Sequence, residues 1–142
     1  MQAARAAGRI LFQCTCEEDA ALGEELGVDG LIVSNHGARQ LDNMPSPLDV
    51  LPMIRNAVGP DVPLLLDSGV RRGTDIVKAL ALGATVVGVG RPVLWGLING
   101  GAPGVKSVYA HIAAELKSAM MLSGVTKVTE IKRDHLALTK AV

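Results

Sequence analysis

The chain has 142 residues, 49% hydrophobic but only 2% aromatic, so its core must be aliphatic. That length is one domain's worth, taken as a single domain over residues 1–142. Fourteen basic and fourteen acidic side chains cancel, which argues against a nucleic-acid partner or an anionic membrane surface, and no run of about 18 apolar residues predicts a membrane span.

Residues 1–9 are small and basic, in the manner of a vestigial targeting segment, but the apolar stretch after them is too short for a secretory signal. Arg9 to Thr15 reads as a strand. Cys14 and Cys16, close together and without neighbouring histidines, make poor zinc ligands and a poor disulfide pair. No metal site is expected, and two reduced thiols fit a cytoplasmic compartment. Glu17 to Leu26 is a predicted helix, with acidic residues in its first turn and Gly27 just past its end. Gly30 to Ser34 is a strand. A loop rich in turn formers runs from Gly37 to Pro47, where Ser46 is the expected N-cap of the next helix, with Pro47 at its first position. Apolar spacing carries that helix to Val58, before Gly59-Pro60. Pro63 to Asp67 is a strand, Asp75 to Leu82 a helix capped by Thr74, and Thr85 to Val89 a strand. A short helical turn over Pro92 to Leu97, a glycine-rich loop over Asn99 to Gly104 and a long helix over Val105 to Ser123 complete the order.

Strands alternating with helices at this spacing imply parallel strands joined by crossovers. Four such units make either an open sheet or half of a (β/α)₈ barrel, which needs about 250 residues.

Chemistry-bearing residues follow three of the strands. Ser34-Asn35-His36-Gly37-Ala38-Arg39-Gln40-Leu41-Asp42 sits at a strand end, where α/β proteins place their sites. His36 can take a proton near neutral pH, and Arg39 offers a planar fork for a carboxylate. Asp42 is read as a cap or as a partner of Arg39. Asp67-Ser68-Gly69-Val70-Arg71-Arg72-Gly73-Thr74 and Val89-Gly90-Arg91-Pro92 pair glycine with arginine on consecutive β/α loops. That pattern matches the phosphate site that (β/α)₈ barrels build, with glycines letting a ligand approach and helix N-terminal amides facing an anion. Asp67 reads equally as a ligand partner or a loop cap. His111 and His135 read as surface residues, and Leu94, Trp95 and Leu97 as packing.

These segments resemble the FMN-dependent α-hydroxy-acid oxidases and dehydrogenases, the family of glycolate oxidase and lactate oxidase. The resemblance runs from about Glu18 to His135 and also takes in Gly88-Val89-Gly90-Arg91-Pro92-Val93-Leu94-Trp95-Gly96. It implies the C-terminal half of a (β/α)₈ TIM barrel, about four parallel strands with outer helices. It also implies FMN as cofactor and oxidation of a small L-2-hydroxy acid to a 2-oxo acid, with oxygen the expected electron acceptor. By the same resemblance His36 is the base that takes a substrate proton, Arg39 the partner of the substrate carboxylate and Ser34 a flavin contact. Asp67, Ser68, Gly69, Val70 and Arg71 line the ribityl-phosphate part of FMN, and Gly90 and Arg91 complete the phosphate clamp.

Two departures stand out. The family carries a lysine beside the flavin ring on the strand before the signature, a position that falls at Phe12 here. The family's first four β/α units, with the remainder of the flavin pocket, have no counterpart in this sequence. The chain alone is therefore expected to bind FMN weakly and turn over little. Two other readings stand beside this one. An IMP dehydrogenase-like phosphate-binding barrel shares the pattern from Asp67 to Gly90 but lacks the His-Arg pair. A non-catalytic half-barrel would cover its sheet edges by forming a homo-oligomer. Lys140-Ala141-Val142 is not a peroxisomal Ser-Lys-Leu address, so the cytoplasm is the default location.

Overall fold

A computed structural model describes residues 11–137. Residues 9 and 10 of the expected first strand, the basic N-terminal stretch and the C-terminal tripeptide lie outside them. The elements run β1 (Leu11–Cys14), α1 (Glu17–Glu25), β2 (Gly30–Val33), α2 (Pro47–Ala57), β3 (Leu64–Leu66), α3 (Gly73–Ala81), β4 (Val86–Val87) and α4 (Arg91–Leu122), followed by two 3₁₀ turns, Val128–Glu130 and Arg133–His135. The strands form one parallel sheet in the order β1-β2-β3-β4, as alternating strand and helix patterns require. The described residues fall into two compact units. One comprises residues up to Gly69 with Gly83–Gly88, and the other comprises Val70–Leu82 with the chain from Val89 onward.

The first unit contains the whole sheet. Its register pairs Phe12 with Leu31, Gln13 with Ile32 and Cys14 with Val33. Side chains alternate along a strand, so Phe12, Cys14, Leu31 and Val33 share one face and Gln13 and Ile32 the other. α1 lies close on the first face. A Cβ on Gly23 would stand 3.0 Å from the Leu31 side chain and 3.1 Å from the Phe12 ring, so a larger residue there would wedge helix from sheet. Leu31, Val33, Leu51, Ile54, Leu64 and Leu66 are almost fully buried, each stabilising by about 1.5–3 kcal/mol. Ser46 caps α2 as expected, its Oγ accepting the Leu48 N–H at 3.2 Å. Glu24 and Arg55 fasten the loop after α2. The Glu24 carboxylate accepts the Gly59 N–H (3.1 and 3.2 Å), and the Arg55 guanidinium donates to the carbonyls of Val62 (2.9 Å) and Gly59.

The second unit is helical. α3 starts two residues earlier than the sequence predicts because Asp75, not Thr74, organises its start: the Asp75 carboxylate accepts the N–H groups of Arg71 and Arg72, each at 3.1 Å. A core of Val77, Ala81, Val125 and Ile131 joins α3 to the chain after α4. The expected loop over Asn99 to Gly104 shrinks to a kink. Only Gly100 and Gly101 leave helical geometry, Gly101 at φ 58. At that kink Gly96 and Gly104 come into backbone contact. No helix among the described residues is long and apolar enough to cross a membrane.

Candidate active site

The first unit holds the signature segment, beginning where β2 ends. Ser34 is 1% exposed, and its Oγ accepts the backbone N–H of His36 at 3.2 Å. The three residues from His36 onward all have left-handed backbone: His36 at φ 54, Gly37 at 68 and Ala38 at 59. A left-handed residue other than glycine costs roughly 1–2 kcal/mol, so two in a run of three must be held by their surroundings, a condition that concentrates at functional sites. Asn35 does most of the holding. Its Oδ1 accepts the N–H groups of Gly37 (3.0 Å) and Ala38 (3.3 Å), its carbonyl accepts Ala38 N–H (2.9 Å), and its Nδ2 donates to the Pro45 carbonyl (3.2 Å). Ser68, in the loop after β3, also accepts the Gly37 N–H, at 3.1 Å.

This turn brings His36 to β1. Its Nε2 lies 2.9 Å from Gln13 Nε2, which also donates to the Ser34 carbonyl at 3.1 Å. The strand residue that reaches the signature is therefore Gln13 and not Phe12. Phe12 sits on the opposite face, its ring against α1. Counting along the sequence locates the family's lysine position but not the face on which its occupant projects. Gln13 gives no motif signal, and only the register of β1 on β2 reveals it.

Arg39 is exposed and makes no hydrogen bond or ion pair with the described residues. Asp42 is not its partner: the Asp42 carboxylate caps the backbone of Asn43 at 2.9 Å. Beyond β3, Asp67 Oδ1 accepts the Ser68 hydroxyl at 2.9 Å. Ser68 (φ 72) and Gly69 (φ 80) continue in left-handed backbone, and a Cβ at Gly69 would meet nothing within 4 Å.

In the second unit Val70 is buried. Arg71 is exposed, with its guanidinium 5.9 Å from the centre of the Trp95 ring, a cation–π distance. Both line an open cavity of about 540 Å³ together with Asn99, Ser107 and His111. Leu94, Trp95 and Leu97 remain about half exposed and do not pack as expected. The start of α3 is not the anion-facing terminus that its sequence suggests. Asp75 takes the amides of Arg71 and Arg72, and Glu115 accepts that of Gly73 at 2.9 Å. Gly73 itself answers to packing, because a Cβ there would lie 2.0 Å from the Leu116 backbone nitrogen. Gly90 is different. A Cβ there would meet nothing within 4 Å. It opens α4 beside Arg91, which is exposed. No group of three or more His, Cys, Asp or Glu among the described residues could hold a metal.

Burial and the nearby Cys16 and Asp19 push the Cys14 thiol up to about 11. Cys14 and Cys16 are both free thiols.

Residues 10–138 match the family model described as FMN-dependent dehydrogenase. The chain belongs to the FMN-dependent dehydrogenase family. It is 53% identical over 116 residues to a 2-hydroxyacid oxidase of Dictyostelium discoideum, covering 82% of this chain and 30% of that protein. It is 52% identical to an L-lactate oxidase of Lactobacillus jensenii, covering 81% of this chain and 28% of the relative. Its structure superposes on that of a lactate oxidase of Pediococcus acidilactici with a TM-score of 0.84 and 45% identity, over 88% of this chain and 35% of that one. The chain thus spans about a third of the length of the relatives it matches, and its four strands and their helices are part of a (β/α)₈ barrel. FMN is the cofactor for which the family is named. The residues of the second unit suit its phosphate: Gly90 leaves room where a side chain would stand, and Arg71 and Arg91 are exposed cations.

Proposed function

We propose that residues 1–142 form one partial domain carrying the proton-accepting and flavin-phosphate portion of an FMN-dependent oxidation. In that reaction a small L-2-hydroxy acid becomes a 2-oxo acid. The observation that carries the reading is the left-handed turn at 36–38, a strained backbone held by Asn35 and Ser68 that sets His36 against β1. Strain of this kind persists only where the surroundings enforce it, and an acid–base residue is what it positions here.

In this reading Arg39 pairs with the substrate carboxylate through two parallel N–H donors, which also orients the α-carbon. His36 accepts a substrate proton at its ring. Ser34, Asp67, Ser68 and Gly69 of the first unit are assigned to FMN, as are Val70, Arg71, Gly90 and Arg91 of the second. FMN, when bound, supplies the acceptor for the substrate's two electrons. Oxygen as the final acceptor is supported by the relatives' being named oxidases, and a cytoplasmic setting by the two free thiols.

Calorimetric titration of L-lactate or glycolate into the FMN-saturated chain tests the reading. Arg39→Lys keeps the charge but loses the bidentate fork, so affinity should fall about tenfold or more, one charge-assisted hydrogen bond's worth. Equal affinity in the variant would remove Arg39 as the anchor and with it the hydroxy-acid assignment.

A further inference from the structure

We propose that Gln13 is a positioning residue that holds His36 as the Nδ1–H tautomer, presenting the Nε2 lone pair as the proton acceptor. The inference deepens the reading of His36 as the base and rests on it for its functional meaning. Its structural content is independent of that reading.

The argument turns on which atoms can donate. A glutamine side chain donates only through Nε2, which carries two N–H groups, and accepts only through Oε1. The Ser34 carbonyl can only accept, so the atom 3.1 Å from it must be the amide nitrogen. That fixes the orientation of the Gln13 amide without reference to His36. The same nitrogen lies 2.9 Å from His36 Nε2. Two N–H groups cannot point at each other across that distance, so Nε2 must be bare and the ring proton must sit on Nδ1.

A histidine ring left to water favours the opposite tautomer, with the proton on Nε2. The geometry therefore selects the less common form, and a neutral one. A substrate hydroxyl is a donor of the same kind as the amide N–H. It can take over the same lone pair when Gln13 releases it, leaving the proton-accepting nitrogen aimed at the group that gives up a proton. The contact depends on strand parity, because Gln13 shares its sheet face with Ile32, two residues before Ser34.

The test is a two-bond ¹H–¹⁵N correlation spectrum of the uniformly labelled 142-residue chain at about pH 8, where an ordinary histidine is neutral. His36 should show a pyrrole-like Nδ1 and a pyridine-like Nε2. His111 supplies the contrast: its Nε2 faces the Glu115 carboxylate at 3.3 Å, so it should show the reverse pattern. Gln13→Met removes the donor, and Gln13→Glu replaces it with an acceptor. Both should move His36 to the Nε2–H form, the glutamate completely. An Nε2–H pattern for His36 in the unmodified chain would overturn the proposal even if neither variant folds. So would Nδ1–H persisting in folded variants. Loss of hydroxy-acid binding on Arg39→Lys is read separately, so failure of the functional assignment and failure of the tautomer assignment are distinguishable.

Discussion

Three glycines in the two arginine-bearing loops look alike in sequence, yet the structure predicts different costs for replacing each with alanine. Gly73→Ala is the severe case. Its Cβ would lie 2.0 Å from Leu116 N, 2.4 Å from Glu115 C and 2.6 Å from Leu116 Cα, against an ordinary contact of 3.4 Å or more. These are backbone atoms of α4, so no side chain can swing aside and the two helices must part by more than about 1 Å. Overpacking of this kind costs about 1–3 kcal/mol. Parting the helices also stretches the Gly73 N–H bond to the Glu115 carboxylate, a charged acceptor worth about 1.5–3 kcal/mol. A net loss of about 3 kcal/mol should lower Tm by roughly 6–12 °C for a chain of this size. Gly69→Ala should cost about 1 kcal/mol, because its space is open but its φ is 80. Gly90→Ala should cost much less than Gly73→Ala, since a Cβ there meets no neighbour. Urea and thermal unfolding followed by circular dichroism would rank the three. A Gly73→Ala chain within about 0.5 kcal/mol of the unmodified one would refute the packing argument.

Ala38→Gly should raise stability by about 0.5 kcal/mol in urea titration, because φ 59 suits glycine better than alanine; a loss of similar size would mean that the turn is not under strain. Stability should also fall with rising pH through Cys14. The unfolded chain gives up this thiol proton near the ordinary value of 9.0 while the folded chain keeps it to about 11. The folded state thus binds more protons in that window, and stability is flat below it and declines across it. Urea midpoints from pH 8 to 11 should show this slope, and Cys14→Ala should reduce it.

Much of the fold is legible because local signals agree with it. Gly27 at φ 69 ends α1 where a glycine was expected, Ser46 and Pro47 open α2, and branched aliphatic runs become the buried strands. The start of α3 is not legible in the sequence, because the Asp75 carboxylate at the third helical position reaches back to the amides of Arg71 and Arg72, while Thr74 has the residue type of a cap. The loop expected over Asn99 to Gly104 is a kink because proline and glycine clusters suggest a loop even where a helix needs only two residues to turn. In the site, His36 and Arg39 stand out by residue type and position. Asn35's role depends on a backbone conformation, and Gln13's on a register between strands, neither of which is written in a motif.

That register has a consequence for how His36 can lose its partner on β1. Odd and even positions of β1 lead to opposite sides of the sheet, so inserting or deleting one residue in this strand exchanges an amide for an aromatic ring or a thiol beneath His36. The imidazole would keep its place in the turn after β2 and lose the donor that fixes its tautomer, without any change to the signature segment itself. A reader comparing signatures alone would pronounce such a chain intact.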